Sequence, residues 1–136
     1  MVNPRKIYAI DPWLVNACSR SFLPDWGHLL ENFVFLRLRR ENRVIEYYKT
    51  KAGNEVDFLL TDHQGRESLI QVSAELKDPA TRKRELKALF EAMEECKLQT
   101  GTIITPDVEE KLKTNYGHID IVPAWLWGLS ASRNGA

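Results

Sequence analysis

Three polar residues stand where the surrounding pattern predicts buried or half-buried structure: Glu31, Asp57 and Gln71. Glu31 lies on the apolar flank of a predicted helix, on the same side as Phe35 and Leu38, and a carboxylate there costs free energy unless it has a partner. Asp57 and Gln71 belong to neighbouring predicted strands. One ion with its waters can bridge oxygen groups about 8 Å apart, and we expect Glu31 and Asp57 to share such a site.

The helix that carries Glu31 is predicted over 25–41, because apolar residues recur at helical spacing and neither glycine nor proline interrupts it after Gly27. A shorter helix is predicted to begin at Asp11 and Pro12, since aspartate suits the N-cap and proline suits the first helical position. The long helix is therefore expected to be largely buried.

Three strands are predicted next, over 44–50, 55–61 and 67–74, with hairpin-sized turns between them. In the second turn Gly65 suits the left-handed position of a three-residue loop, which pairs Thr61 with Glu67 and Asp57 with Gln71. In the first turn we expect Thr50 to pair with Glu55. Alternation then predicts two faces, one with Val56, Phe58, Ile70 and Val72, the other with Tyr48, Asp57, Gln71 and Ser73.

The rest of the chain alternates helix and strand. A helix is predicted from Asp78 and Pro79 to about Lys97, a short strand over 102–105, a small helix from Pro106 and Asp107, and a last strand over 118–122. The resulting order, α, α, β, β, β, α, β, α, β, is typical of a mixed α/β layer fold.

The chain has 136 residues, the size of one domain, so we expect a single domain over 1–129 and a disordered tail over 130–136. Lys+Arg 19 balances Asp+Glu 19, whereas domains that grip phosphate backbones unaided carry a basic excess, so only weak DNA binding is expected. Cys18 and Cys96 have no metal-site spacing, and no apolar run approaches the roughly 20 residues of a membrane span. These features favour a soluble, cytoplasmic protein.

Motif order adds a resemblance to a known superfamily. A helix with Glu31, then 54–58 in one strand, 69–73 in the next, a helix and a strand, resembles the αβββαβ core of the PD-(D/E)XK, or restriction-endonuclease-like, superfamily. That resemblance implies a mixed central sheet flanked by helices.

A closer resemblance is to the C-terminal domain of a family of archaeal and bacterial AAA-type P-loop ATPases. The segments 6–12, 29–32, 47–50 and 55–58 carry it. The chain contains no GxxxxGK[ST] motif, so the resemblance implies an ATPase module that lies upstream or on a separate chain.

The superfamily resemblance also assigns roles to residues. Glu31 and Asp57 match its metal-binding carboxylates, and Mg²⁺ would be held by these two, by the residue at Gln71 and by the carbonyl of Val72. Gln71 stands where the superfamily has glutamate or sometimes glutamine. Ser73 stands where it has the lysine that activates the attacking water, and Lys77 is the substitute we consider for that lysine.

Three functions follow from these matches and departures. The leading hypothesis is a catalytically impaired nuclease-like domain, with weak or no Mg²⁺ binding, that contacts DNA or regulates a P-loop ATPase. The first alternative is an active Mg²⁺-dependent DNA endonuclease with a displaced lysine. The second is a structural domain that forms homo-oligomers.

Overall fold

The computed structural model describes residues 26–41 and 44–128. The described elements are α1 (Trp26–Leu38), β1 (Val44–Lys49), β2 (Glu55–Thr61), β3 (Glu67–Val72), α2 (Pro79–Cys96), β4 (Thr100–Thr105), β5 (Glu110–Thr114) and β6 (Gly117–Pro123). The helix predicted at Asp11 and Pro12 and the tail over 130–136 lie outside the described residues. Within that part of the chain, no helix is long and apolar enough to span a membrane.

One sheet organises these elements, with its six strands in the order β1-β2-β3-β4-β6-β5. The hairpins β1–β2, β2–β3 and β5–β6 are antiparallel, whereas β3–β4 and β4–β6 are parallel. Helix α2 forms the crossover between β3 and β4, as a parallel pair requires. The predicted α/β class, with a mixed central sheet flanked by helices, is confirmed.

Helix α2 packs on one face of the sheet and α1 on the other. On the α2 side, Leu89 and Met93 meet Val56, Ile103 and other buried residues of the sheet. On the α1 side the packed residues include Val34, Leu38, Phe58, Ile70 and Ile104. Burial on both faces explains why the central strands are rich in isoleucine and leucine rather than strictly alternating with polar residues.

Capping residues close in sequence fix both ends of helix α2. Asp78 is the N-cap, its carboxylate accepting from the backbone N–H of Thr81 at 2.9 Å, and Pro79 follows it. The helix ends before Lys97, which has left-handed backbone angles (φ 57°, ψ 42°). Both ends agree with the sequence prediction to within about one residue.

The small helix predicted from Pro106 and Asp107 is wrong, because residues 106–109 form a bend and a loop and β5 begins at Glu110. Val108 and Leu112 both pack on the α2-side core. The side-chain oxygen of Thr105 accepts from Val108 N–H at 2.8 Å and closes a turn before any helix can start. The residues of β5 pair antiparallel with β6, a tertiary interaction that the helix-start signal of Pro106 and Asp107 does not reveal.

The predicted register is correct for one hairpin and wrong for the other. Between β2 and β3, Thr61 pairs with Glu67 and Phe58 with Ile70, as predicted. Between β1 and β2 the pairing is shifted by one residue, so that Glu55 lies opposite Lys49 and not Thr50.

An irregularity in β2 explains how that shift is absorbed. Tyr48 pairs with Val56 and Glu46 with Leu59, which leaves Asp57 and Phe58 opposite the single residue Tyr47. An extra residue of this kind reverses the side-chain alternation beyond it. Val56 consequently packs with the α2-side core, not on the Phe58 face as predicted, and Phe58 lies on the α1 side.

The β5–β6 hairpin depends on a glycine. Gly117 has φ 134°, and a Cβ there would overlap the backbone carbonyl oxygen of Gln99. Gly65 also has a positive φ, 81°, but has open space around its Cα. We expect Gly117→Ala to lower the free energy of unfolding by more than about 3 kcal/mol and Gly65→Ala by only about 1 kcal/mol, because the first adds a steric clash to the backbone strain. Urea denaturation of both variants measures this, and equal losses would contradict it.

Candidate functional site

An open cavity of about 530 Å³ lies where β2 begins and β3 ends, between the two helices. Both helices, both strands and the β1–β2 turn contribute to its wall. The lining residues are Gly27, Glu31, Gly53, Asn54, Glu55, Asp57, Gln71, Val72, Arg84, Glu85 and Ala88. The structure therefore brings Glu31, Asp57, Gln71 and Val72, four of the residues singled out from the sequence, to one place.

Where the backbone pairing of β2 with β3 stops, the side chains of Asp57 and Gln71 each accept a hydrogen bond from a backbone N–H of the opposite strand. The amide oxygen of Gln71 accepts from the backbone N–H of Asp57 at 2.8 Å. In return, Oδ2 of Asp57 accepts from the backbone N–H of Val72 at 2.9 Å. Two backbone donors at the end of the ladder are satisfied in this way, which allows the strands to separate and form the cavity floor.

The nitrogen of the Gln71 amide is also used. Nε2 donates to the backbone oxygen of Glu55 at 3.2 Å and to Oε2 of Glu85 on α2. The amide oxygen of Gln71 therefore faces a donor, and its nitrogen faces two acceptors, a carbonyl and a carboxylate. These partners require this orientation of the amide. Gln71 is 4% exposed, so its amide acts as a buried connector between β2 and α2.

The cavity wall has more acidic than basic groups. Glu31, Glu55, Asp57 and Glu85 line it, and Arg84 is the basic residue among those lining the described cavity. Nη2 of Arg84 lies 3.5 Å from Oε1 of Glu85. Burial raises the pKa of Glu85, and the hydrogen bond from Gln71 and the charge of Arg84 only partly oppose that rise.

Glu31 is half-buried as the helix pattern predicted. Its side chain is 12% exposed, and Oε2 lies 4.0 Å from Nδ1 of the exposed His28 one turn earlier. Helix α1 thus presents this carboxylate to the cavity from the side opposite α2.

Tyr47, the residue opposite the irregularity in β2, belongs to the same electrostatic environment. Burial raises its pKa, and so do a hydrogen bond with Glu55 and the negative charges of Glu55, Asp57 and Glu31. The phenol therefore stays protonated near these carboxylates and can donate a hydrogen bond.

The structure places Ser73 and Lys77 away from the cavity wall. Ser73 is buried, with its backbone N–H donating to the carbonyl of Ile104 at 2.9 Å. Lys77 is exposed and pairs with Asp107 at 2.8 Å. Neither residue lines the cavity, whereas Arg84 does.

No group of three His, Cys, Asp or Glu side chains among the described residues is arranged to hold a metal ion. The matched set of Glu31, Asp57, Gln71 and the Val72 carbonyl relies instead on an amide and a backbone oxygen. Because the amide of Gln71 is neutral and its oxygen already accepts from the backbone N–H of Asp57, we expect this set to hold Mg²⁺ more weakly than one with glutamate at position 71.

Sequence reasoning missed Arg84, Glu85 and Tyr47 as site residues. Glu85 lies four residues before Leu89 and therefore on the inner stripe of α2, a signal that the run of basic residues at 82–84 obscured. Tyr47 had no comparable signal, because its position depends on the irregularity in β2.

Glu85 gives the folded protein a pH dependence. Its pKa is raised in the folded state, so ionisation opposes folding, and wild-type stability should fall as pH rises from the ordinary carboxyl range through that raised value. We expect Glu85→Gln, which keeps an acceptor for Gln71, to be more stable than wild type at neutral pH and to lose that advantage near pH ~4. Urea denaturation across this range measures it. Glu94→Gln, at an exposed position of α2, is the control, and a Glu85→Gln variant less stable than wild type at neutral pH would refute the sign.

Comparison with known proteins gives three findings. Residues 26–127 match the model of a family described as Domain of unknown function (DUF4143). The uncharacterized protein MJ1544 of Methanocaldococcus jannaschii is 37% identical over 142 residues, covering 92% of this chain and 29% of that protein, so the chain spans less than a third of this relative. A chain from an assembly of Thermococcus gammatolerans McrB AAA+ hexamers with bound McrC is 12% identical, with a TM-score of 0.48 over 71% of this chain and 27% of that one. By the family match, which covers α1, α2 and the six described strands, this chain belongs to the DUF4143 family.

Proposed function

We propose that this domain is a nuclease-like module without phosphodiester hydrolase activity, which serves a P-loop ATPase as a recognition or regulatory domain. One observation carries the proposal: both ends of the Gln71 amide are engaged in joining β2 to α2, at the position where the superfamily resemblance has glutamate or sometimes glutamine as a metal ligand. The residue that should help hold a metal is here part of the framework.

The electrostatics of the cavity support the loss of activity. Hydrolysis of a phosphodiester builds negative charge on the phosphate, and that charge needs a cation aimed at it. Ser73 supplies none, and Lys77 is paired with Asp107 outside the cavity. Arg84 is paired with Glu85, and the carboxylates around it would repel a phosphate.

The role beside an ATPase rests on the sequence resemblance to the C-terminal domain of AAA-type P-loop ATPases. The relative in Methanocaldococcus jannaschii supports it only by its length, since the matched part is 29% of that protein. The remainder is long enough for a second module of this kind.

An active endonuclease is the second candidate, favoured by the fact that Glu31 and Asp57 line one cavity. In that case Lys77 or Arg84 would have to replace the missing lysine. A purely structural role is the third, and the experiments below separate all three.

We expect the wild-type chain not to nick supercoiled plasmid in Mg²⁺ or Mn²⁺. Gln71→Glu should tighten Mn²⁺ binding, because it restores a charge beside Asp57 and Glu85. Nicking should appear only when Ser73→Lys is added, because position 73 shares one side of the strand with Gln71 and the longer lysine would project to that side. Agarose gels of wild type, both single variants and the double variant measure nicking, and titration calorimetry measures Mn²⁺ binding.

Asp57→Ala in the double-variant background is the control for contaminating nucleases. Cleavage by wild type that disappears in Asp57→Ala would overturn the proposal in favour of the active enzyme, and Lys77→Ala and Arg84→Ala would then identify the cation. A silent double variant that binds Mn²⁺ would show that substrate contacts are missing as well.

The balanced charge predicts weak binding to nonspecific duplex DNA, with a Kd of roughly 10⁻⁴ to 10⁻⁶ M at physiological salt that weakens as salt is added. Fluorescence anisotropy at several salt concentrations measures it. Nanomolar binding at physiological salt would contradict the prediction. No binding, together with a stable dimer in sedimentation, would favour the structural role.

A further inference from the structure

The β1–β2 turn, residues 50–54, forms one wall of the cavity and is joined to α2 by hydrogen bonds. Gly53 and Asn54 line the cavity, and Glu55 follows them at the start of β2. Polar side-chain contacts join this turn to α2, and all of them end on two glutamates of that helix, Glu91 and Glu95.

Glu91 holds both ends of the turn. Its Oε2 accepts from Oγ1 of Thr50 at 3.0 Å and from Nδ2 of Asn54 at 2.7 Å. Thr50 Oγ1 in turn accepts from the backbone N–H of Asn54 at 3.0 Å, which closes the loop on itself. The hydrogen bond from Asn54 is the main cause that lowers the pKa of Glu91. Desolvation opposes this lowering, while the hydrogen bond from Thr50 and the positive charge of Lys87 add to it.

Glu95 holds the side of the turn that leaves β1. Its two carboxylate oxygens accept from the backbone N–H of Lys51 at 3.0 and 3.3 Å, and Oε1 also accepts from the hydroxyl of Tyr48 at 2.7 Å. The backbone of an exposed turn is thus bonded to a helix side chain.

Within the turn, the backbone N–H of Thr50 donates to the carbonyl of Asn54 at 2.7 Å and that of Gly53 to the carbonyl of Thr50 at 2.9 Å. Thr50 is buried, but Lys51, Ala52 and Gly53 are exposed, and the hydrophobic core begins only at Tyr48 and Val56. Beyond Val56 the ladder is interrupted at Asp57 and Phe58, so this irregularity separates the hairpin tip from the regular part of the sheet. Segments with few apolar contacts open at low free energy.

We propose that residues 50–54 form a flap that opens independently of the sheet and controls entry to the cavity, with Glu91 and Glu95 as its latch. The proposal deepens the function proposed above, on which it depends only for the use of the cavity. Opening would withdraw Gly53 and Asn54 from the wall and carry along Glu55, whose carbonyl accepts from Gln71.

Hydrogen exchange measured by mass spectrometry tests whether the flap opens by itself. Glu91→Ala and Glu95→Ala should each speed exchange over 50–54 by about 10-fold or more, the expected effect of losing charged hydrogen bonds, while β3 and β4 stay within about twofold of wild type. Glu91→Gln keeps one acceptor oxygen and should fall between. Glu94→Ala, at an exposed position of the same helix, should change nothing.

Thiol labelling tests control of entry. Ala88 is 3% exposed and lines the cavity, so Ala88→Cys reports access to it, with peptide mapping to separate it from Cys18 and Cys96. Its reaction with a small thiol reagent should be about 10-fold faster when Glu91→Ala is added, and unchanged with Glu94→Ala. Circular dichroism checks that each variant is folded.

Two results would overturn the proposal: exchange that speeds equally in the flap, β3 and β4, or a labelling rate at position 88 that the latch variants leave unchanged. Neither readout needs metal or DNA. The flap can therefore fail while the nuclease-like assignment stands, and the reverse also holds.

Discussion

The arrangement of this domain depends on the reciprocal bonds between Asp57 and Gln71. Each side chain accepts from a backbone N–H on the opposite strand, Asp57 from Val72 and Gln71 from Asp57, so β2 and β3 can separate without leaving buried donors unpaired. The separation creates the cavity, and the second end of the Gln71 amide fixes the position of α2 through Glu85. Loss of either partner would leave a buried polar group unsatisfied, which costs more than the bond itself contributes.

The same bonds bear on the resemblance to the restriction-endonuclease-like superfamily. A carboxylate at position 71 would face Glu85, and the two charges would repel each other unless a cation lay between them or one carried a proton. An amide removes that conflict and adds a donor. The fold thereby gains a stable connection between sheet and helix at the position where the superfamily resemblance expects a metal ligand. Fold and activity are separate properties in this respect.

Helix α2 is the element on which both the cavity and the position of the β1–β2 turn depend. Its first half carries Arg84 and Glu85 into the cavity wall, and its second half carries Glu91 and Glu95 to the β1–β2 turn. The inner stripe between them, Leu89 and Met93 among others, packs on the sheet. One helix therefore sets the distance between the buried amide of Gln71 and the exposed turn.

The sequence by itself determined what depends on neighbouring residues: the capping of α2 by Asp78, the β2–β3 register set by the Gly65 loop, and the position of Glu31 on a buried helix face. Only the tertiary structure decided the irregularity at Asp57 and Phe58, the formation of β5, and the meeting of Arg84 and Glu85 with the strand residues. The physical reason is the same in each case. Local propensity and periodicity act over a few residues, whereas an extra strand residue or an edge strand is stabilised by pairing and packing with segments distant in the chain.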